Sequence, residues 1–343
     1  MMKHFFIVIA LIISTLAQAQ KPTQKVLDDN NAKLREALAL QHDGKLTESN
    51  QKLTDLYALR YMTDFVCWNL ANNYYNLKDY KRAERFASQA MEEGSQYVLQ
   101  AGILKAMSLG MRGRHAEELQ LLQELAQHFP DDPAPHFALA VHLWNHNDRH
   151  NADKEFHSAI KLDKANASMH LRIAYLNNDA QLYVHAFLAY YMYLFINPSS
   201  YGKEAILTLN EIMNRRNVNN IIDEKTANDA LLSKEDSDLI WAMLFINELK
   251  TCAIDSESGL PDVDNFVDNS RRLLTSVCES IEEKEGFYEE FYIDFYQKLL
   301  KADMLDAFLY YCLSKTYPDL NDEIPMSKEK MTSFADWLEG EWE

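Results

Sequence analysis

The sequence predicts an all-α protein, a run of stacked helical hairpins followed by a helical C-terminal region. Only 9 glycines and 8 prolines occur in 343 residues, and scarce breakers favour helices over turns and strands. Small and aromatic residues recur with a step of about 34 residues, which is typical of a helical repeat array. Length alone permits either two domains or one long array.

The first segment of the chain has the features of a secretory signal peptide. A basic start at Lys3 precedes an apolar run, and Ala17 and Ala19 form a small-x-small cleavage signal. The run is shorter than the roughly 20 residues that span a bilayer. We therefore expect residues 1–19 to be removed between Ala19 and Gln20, and residues 20–29 to form a polar lead-in. The expected location is the periplasm or the cell exterior.

One hairpin, LANNYYNLKDYKRAERFASQAM (Leu70–Met91), gives the pattern of the whole array. Two amphipathic segments meet at a short polar break formed by Lys78 and Asp79. Small residues occupy positions where two helices of a hairpin would touch, and aromatic side chains fill the space between them. The small residues are Ala71, Ala83, Ala87 and Ala90, and the aromatic residues are Tyr74, Tyr75, Tyr80 and Phe86.

The same pattern recurs in phase along about half of the chain. Gly44 and Gly113 fall at the turns of the neighbouring copies, and Pro130 falls where the third copy ends. The five predicted repeats are residues 30–63, 64–97, 98–132, 133–166 and 167–200. A single helical hairpin cannot bury its own apolar face, so successive hairpins stack, and small residues let their backbones approach.

This pattern resembles the tetratricopeptide repeat (TPR), a helix-turn-helix unit of about 34 residues. The resemblance implies a right-handed α–α superhelix whose first helices line a concave groove. It also implies which side chains face that groove, although each of them could instead pack against a neighbouring hairpin. The expected groove residues are Trp68, Asn72, Tyr75, Asn76, Met107, Phe137, Val141, Trp144, Asn145, Leu171, Tyr175 and Asn178, with Leu34 and Leu38 in the first repeat.

The chemistry of these residues favours a polypeptide partner. Aromatic side chains give contact area at low entropy cost, and Asn amides pair with the backbone of an extended peptide. The carboxylate clamp known in the family is expected to be absent. Asn72 matches one of its positions, but Trp68 stands where a Lys is required, and Leu104 and Ala138 stand where an Arg could have served. We therefore expect a non-enzymatic interaction scaffold of the cell envelope that binds a less charged, partly aromatic peptide or helix. No cofactor is expected.

Residues 201–343 are expected to be a helical C-terminal region that packs directly on the repeats. The stretch 182–197 is apolar nearly all round, and such a helix must be covered on both sides. Helices are expected at about 202–216, 235–253, 262–284, 287–301, 303–317 and 328–340. Residues 287–320 resemble a degenerate sixth hairpin.

Charge divides the chain into two unequal parts. The net charge is −18, and residues 20–200 carry 21 acidic and 19 basic side chains, against 31 and 14 in residues 201–343. An acidic surface repels phosphate backbones and anionic lipid. Nucleic acid and membrane surfaces are therefore poor candidate partners, and no stretch after the leader is long enough to span a membrane.

Two clusters of polar residues are candidate ion sites. His142 and His146 lie four residues apart on one predicted helix and could hold a metal, although solvated or capping histidines explain them as well. The acidic stretch from Asp255 to Asp264 lacks the spacing of a calcium loop, and Asp262 also suits a helix start. A solvated loop is the favoured interpretation.

Aromatic residues and cysteines in the acidic half are interpreted mainly as packing residues. The paired stripe Phe287/Tyr288, Phe291/Tyr292 and Phe295/Tyr296 has the spacing of a broad core face, although it could bind a sugar or a partner helix. The four cysteines, Cys67, Cys252, Cys278 and Cys312, show no metal-binding spacing. They suit buried small hydrophobes, with a Cys252–Cys278 disulfide as the alternative in an oxidising compartment.

Two other functions remain open alternatives. One is an enzyme with an unrecognised active site in residues 201–343, since catalytic groups assemble from distant residues even where no nucleophile or phosphate-loop motif is present. The other is a glycan-binding repeat protein. A buried polar cluster with perturbed ionisation in the acidic half would favour the enzyme.

Overall fold

The prediction of an all-α fold built of consecutive helix pairs is confirmed. A computed structural model describes residues 23–92, 95–197, 201–215, 242–281, 284, 286–317, 319–320 and 325–341. These ranges contain helices and one isolated antiparallel bridge between Ile254 and Pro261, but no strand. Within them, no helix has both the length and the apolar character needed to cross a membrane. The predicted signal peptide lies outside the described residues.

The chain divides into two compact units, residues 1–125 and residues 126–343. The division runs through the second helix of the third predicted repeat. The helices of unit 1 are α1 (Gln24–His42), α2 (Leu46–Ala58), α3 (Thr63–Asn76), α4 (Tyr80–Ala90) and α5 (Val98–Met111), and α6 (His115–His128) crosses the division. The helix pairs of unit 2 are α7 (Pro133–Asn145) with α8 (Arg149–Leu162), and α9 (Ala167–Asp179) with α10 (Tyr183–Ile196).

A left-handed residue closes the turn inside every helix pair. Gly44, Lys78, Gly113, Asn147 and Gln181 all have φ between 62° and 75°. In each case the next residue donates its N–H to a carbonyl near the end of the first helix, as Asp79 does to Tyr74 at 2.8 Å. This pattern satisfies carbonyls that a helix end would leave unpaired. The same turn recurs at Asp303, between the helices of the predicted degenerate hairpin.

Alanine and aromatic residues form the core of unit 1 as expected. Ala71 and Ala87 are fully buried, which lets the helix backbones approach closely. Phe86 fills the space beside them. Its ring stacks on Tyr74 with centroids 5.5 Å apart and meets Tyr57 edge-on at 5.6 Å.

The C-terminal region of unit 2 covers α10, as predicted from the sequence. Every residue of α10 from Tyr183 to Phe195 is buried. Tyr191 donates a hydrogen bond to Ser270 at 2.5 Å, and Phe195 packs against Phe308 with ring centroids 5.5 Å apart. The covering helices are α12 (Val263–Ser280), α13 (Asp294–Lys301) and α14 (Leu305–Ser314), while α11 (Gly202–Asn214) precedes them and α15 (Lys328–Glu341) follows.

Two predicted helices of this region differ from the structure. The helix expected over 235–253 is wrong where the structure describes it, because Met243–Glu248 is a short 3-10 helix and the chain is then non-helical up to the bridge at Ile254. Cys252 explains part of this, since its backbone N–H and C=O bond to the side chain of Asn214 instead of to a helix. The helix expected over 287–301 begins as a π-helical turn, Tyr288–Ile293, and continues as α13.

Candidate functional site

The first helices of unit 1 present a mixed amide and apolar surface, which we call the unit 1 face and define as Trp68, Asn72, Tyr75, Asn76 and Met107. Nδ2 of Asn76 donates to Oδ1 of Asn72 at 3.2 Å. Asn76 is exposed and Asn72 is half-buried, one helical turn away on α3. Met107 of α5 occupies the position equivalent to Asn72, and its side chain is 41% exposed.

Aromatic packing anchors Trp68 on this face. The indole stacks on Tyr97 with ring centroids 5.4 Å apart and also contacts Phe65 at 6.1 Å. Tyr75 meets Tyr80 edge-on at 5.4 Å. Trp68 and Tyr75, the predicted groove aromatics of unit 1, are half-buried. Each packs on neighbouring aromatic rings and leaves part of its surface exposed to solvent.

In unit 2 the predicted groove residues separate into surface and packing positions. Val141 and Trp144 of α7 are half-buried and Asn145 is exposed. Phe137 is half-buried and packs on Phe156 with ring centroids 5.9 Å apart. Leu171 is only 7% exposed, so its side chain belongs to the core and not to a partner surface.

Tyr175 and Asn178, the other two predicted groove residues of α9, form the polar part of this surface. The Tyr175 hydroxyl donates to Oε1 of Glu204 on α11 at 3.0 Å. Burial, together with the hydrogen bond and the charge of Glu204, raises the pKa of Tyr175 to about 12. Asn178 is half-buried, and its Oδ1 atom has no hydrogen-bond partner among the described residues. We call Val141, Trp144, Tyr175 and Glu204 the unit 2 face.

Three histidines of the fourth repeat make local contacts. The rings of His142 and His146 lie parallel with centroids 4.2 Å apart, and Nδ1 of His146 bonds to the carbonyl of His142 at 2.8 Å. His136 instead pairs with Glu155 at 2.7 Å. In the part of the chain that the structure describes, no group of three or more His, Cys, Asp or Glu is arranged to hold a metal ion.

The acidic loop uses its carboxylates for local backbone hydrogen bonds. Oδ1 of Asp255 accepts from the backbone N–H groups of Glu257 and Ser258, at 3.0 and 2.8 Å. These bonds hold the pKa of Asp255 below its ordinary value. Asp262 caps α12 by accepting from Asn265 N–H at 3.0 Å. The capping role expected from the sequence is confirmed for Asp262.

A buried polar cluster joins the aromatic stripe to the repeats of unit 2. Tyr288 donates to Asp153 at 3.0 Å and accepts from Asn177 at 2.6 Å, and Tyr292 bonds to His170 at 2.8 Å. The stripe is therefore core, as favoured from its spacing. The side chains of this cluster are at most 2% exposed, so they are closed to a substrate, and the cluster is interpreted as packing and not as an active site. The polar partners of the stripe were missed, because nothing in the sequence marks which distant residue a buried phenol will meet.

All four cysteines are free and buried, so the alternative of a Cys252–Cys278 disulfide is wrong for this structure. Burial raises the pKa of the Cys67 and Cys278 thiols to about 12. At neutral pH these thiols are protonated, and a protonated thiol is a poor nucleophile.

A polar cleft of about 460 Å³ lies between α2, α3 and α4 and was not predicted. Arg82 lies over the ring of Tyr74 at 4.4 Å and pairs with Asp79 at 2.5 Å, while Asp55 pairs with Lys33 at 3.1 Å. The other residues that line the cleft are Thr47, Asn50, Gln51, Thr54 and Leu77. In sequence these side chains look like the solvated face of any amphipathic helix, so no signal could have singled them out.

No protein-family model matches the chain, and no curated protein matches it. Among solved structures it is similar to MamA from Desulfovibrio magneticus, at 15% identity over 45% of this chain and 86% of that chain, with a TM-score of 0.39. It is also similar to YrrB, described as a TPR protein with an unusual peptide-binding site, at 16% identity over 53% and 95% of the two chains and a TM-score of 0.38. The C-terminal part of a TPR repeat-containing protein from Cytophaga hutchinsonii covers 85% of this chain and 100% of its own, at 12% identity and a TM-score of 0.44. At these identities and TM-scores the likenesses do not decide the family of the chain.

Proposed function

We propose that the protein is a non-enzymatic scaffold that binds a polypeptide segment on the unit 1 face. The observation that carries the proposal is the amide pair of Asn72 and Asn76. Because one hydrogen bond joins the two amides, the NH₂ group of Asn72, the second N–H of Asn76 and the carbonyl oxygen of Asn76 are not used by it, and they lie one helical turn apart. A peptide backbone in extended form presents the matching acceptor and donor.

The apolar members of the face supply contact area beside these amides. Met107 is 41% exposed, and methionine adapts its shape to varied partners. Trp68 is fixed by its stack on Tyr97, so little side-chain entropy is lost when a partner covers it. A rigid aromatic, a flexible thioether and paired amides form a surface suited to a peptide.

Selection of peptides from a random display library against the whole protein tests this proposal. We expect enriched peptides whose affinity, measured by isothermal titration calorimetry, falls about tenfold in the double variant Asn72→Ala/Asn76→Ala, as loss of two hydrogen bonds predicts. The matched control is Gln123→Ala, which deletes an exposed amide from the second helix α6 and should leave binding unchanged.

The structure also explains why Trp68→Ala is a poor first choice for this test. Removing the indole deletes the partner of Tyr97 and Phe65, so weaker binding would not be separated from a loosened hairpin. If the selected peptides bind the double Asn variant as tightly as the wild type, the unit 1 face is not their site.

We further propose that the chain is exported and works in the cell envelope. The support is the sequence of residues 1–19, with its apolar run and its small residues at Ala17 and Ala19. Expression in a Gram-negative host followed by intact-mass measurement of the periplasmic fraction is the test. The expected product begins at Gln20, and recovery of the full-length chain in the cytosol would contradict export.

The polar cleft of unit 1 favours a second candidate function, glycan binding. Amide, hydroxyl and charged side chains pair well with sugar hydroxyls, and Gln51 and Arg82 supply such groups there. Titration of a glycan panel should then give heat that Gln51→Ala abolishes. Absence of heat with every glycan would leave peptide binding as the one function proposed.

A further inference from the structure

The unit 2 face combines aromatic surface with fixed carboxylates, which is not the composition of the unit 1 face. We propose that the unit 2 face binds a cationic polypeptide segment, one that carries Lys or Arg side chains. This inference rests on the proposed scaffold function and names the class of partner for its second unit. For this face it replaces the expectation of a weakly charged peptide.

The hydrogen bond between Tyr175 and Glu204 sets the position of one carboxylate. Glu204 lies in the first turn of α11 and is exposed to solvent. Because Tyr175 donates to Oε1, the second oxygen, Oε2, stays available to a donor from a partner. The Tyr175 hydroxyl keeps its proton at every physiological pH, since its pKa is raised to about 12. The carboxylate is thus oriented before any ligand arrives, which lowers the entropy lost on binding.

A second carboxylate lies on the same side of α11. Glu211 follows Glu204 by seven residues, which is two turns of α11, so both side chains lie on the same side of the helix. Burial raises the pKa of Tyr190, and the charges of Tyr175, Glu204 and Glu211 add to that rise. Glu211 is exposed. Two carboxylates at this spacing can pair with two cationic side chains of one bound segment.

The cations near this surface are too few to neutralise it. Asp179 is paired with Arg149 at 2.6 Å, so these two charges cancel. Arg172 is exposed and acts on Tyr175, and it would repel a basic ligand. Lys203, next to Glu204, is also exposed, and its Nζ atom donates to the carbonyl of Ser258 at 3.1 Å. The whole chain, including this face, carries a net charge of −18. A field of that sign attracts a cationic partner over long distance and repels an acidic one.

Aromatic surface next to the carboxylates strengthens the preference for cations. Trp144 and Val141 of α7 occupy the positions equivalent to Asn178 and Tyr175 of α9, and α7 packs beside α9. Guanidinium and ammonium groups pair with carboxylates and also rest on aromatic faces. An uncharged segment would use the aromatic rings and leave the carboxylates unpaired.

Fluorescence anisotropy with three labelled peptides of equal length tests the proposal. The first peptide repeats Gly-Lys-Ser, and in the other two Gln or Glu replaces every Lys. With the full chain at low salt we expect binding of the Lys peptide only. Glu204→Gln should weaken that binding about fivefold, as loss of one surface charge contact predicts, and Arg172→Gln should tighten it by a similar factor. Glu339→Gln, which removes one exposed carboxylate from α15, is the control of equal charge change and should have no effect.

Two results would overturn the inference. Equal binding of the Gln peptide would show that the face does not select cations. Equal weakening by Glu204→Gln and Glu339→Gln would show that bulk charge, not this face, attracts the peptide. Neither result touches the proposed scaffold function, which depends on the amides of Asn72 and Asn76 and fails only in their own experiment.

Discussion

The hydroxyl of Tyr288 donates a hydrogen bond to Oδ1 of Asp153 at 3.0 Å, between residues 135 positions apart in the chain. Both side chains are at least 98% buried. Asn177 donates to the same hydroxyl at 2.6 Å, and the ring of His157 lies edge-on to the phenol at 5.2 Å. A buried carboxylate costs several kcal/mol unless it is hydrogen-bonded. The hydrogen bond from Tyr288 and the contact of Oδ2 of Asp153 with Nε2 of His157 at 3.1 Å therefore offset the cost of burying this carboxylate when the C-terminal region packs on the repeats of unit 2.

Tyr288→Phe removes this hydrogen bond while it keeps the ring. We expect the free energy of unfolding in urea to fall by about 2 kcal/mol, because a hydrogen bond to a charged group is lost and Asp153 stays buried. Tyr201→Phe is the matched control, since Tyr201 is 52% exposed, and it should change stability by less than about 0.5 kcal/mol. Equal stabilities for the wild type and Tyr288→Phe would mean that Asp153 is satisfied without the phenol.

His170 predicts how the stability of unit 2 depends on pH. The side chain is fully buried, and burial lowers its pKa to about 4 from the ordinary 6.5. Below about pH 6.5 the unfolded chain binds a proton that the folded chain does not, so stability falls as the pH decreases towards 4. Between neutral pH and pH 5 the loss is about 2 kcal/mol.

Urea titrations of wild type and His170→Gln at several pH values measure this loss. Other titrating groups are common to both proteins, so the difference between the two pH slopes isolates His170. We expect the variant to be less stable at neutral pH, where it lacks the bonds to Tyr292 and Lys164, and to have the shallower slope. His128→Gln, the same substitution at an exposed histidine, is the matched control. Parallel slopes for wild type and His170→Gln would contradict a neutral, buried His170.

Local periodicity explains why the consecutive helix pairs and the covering of α10 could be predicted from the sequence. Small residues such as Ala71 and Ala87 repeat with the step of the hairpins, and the all-round apolar character of α10 requires a cover on every side. Such features depend on residues close in sequence. The region 242–254 could not be predicted in the same way, because the side chain of Asn214, far away in sequence, takes the backbone bonds of Cys252 that a helix would need.

The candidate sites were predictable only as far as repeat positions. Counting by the repeat step placed Asn72, Asn76 and Tyr175 on the surfaces of first helices, but the same counting placed the buried Leu171 there. The partner of Tyr175, Glu204, lies 29 residues away and outside the predicted repeats. No residue spacing indicates that contact, so the charge of the unit 2 face became visible only in the structure.

The repeated left-handed turn predicts opposite effects of substitution at two equivalent positions. Gly44 has φ 75° with no atom near the space of a Cβ, so Gly44→Ala should cost about 1 kcal/mol of stability through backbone strain alone. Lys78 has φ 62° in the next hairpin, so Lys78→Gly relieves strain. Its net gain should be about 0.5 kcal/mol, because glycine also adds entropy to the unfolded chain. Urea titrations of the two variants check both signs, and a destabilising Lys78→Gly would show that the Lys78 side chain contributes more than its backbone strain costs.

Burial predicts that the four cysteines are unreactive in the folded protein. Desolvation raises the pKa of Cys67 and Cys278 to about 12 and that of Cys312 well above its ordinary value, so little thiolate is present at neutral pH. A chromogenic disulfide reagent should therefore label none of the four within minutes in native buffer. The same reagent should label all four in denaturant, where the thiols regain their ordinary pKa and full access. Labelling of only two thiols in denaturant would mean that one pair is oxidised, and rapid native labelling of Cys312 would mean that α14 opens readily from α10.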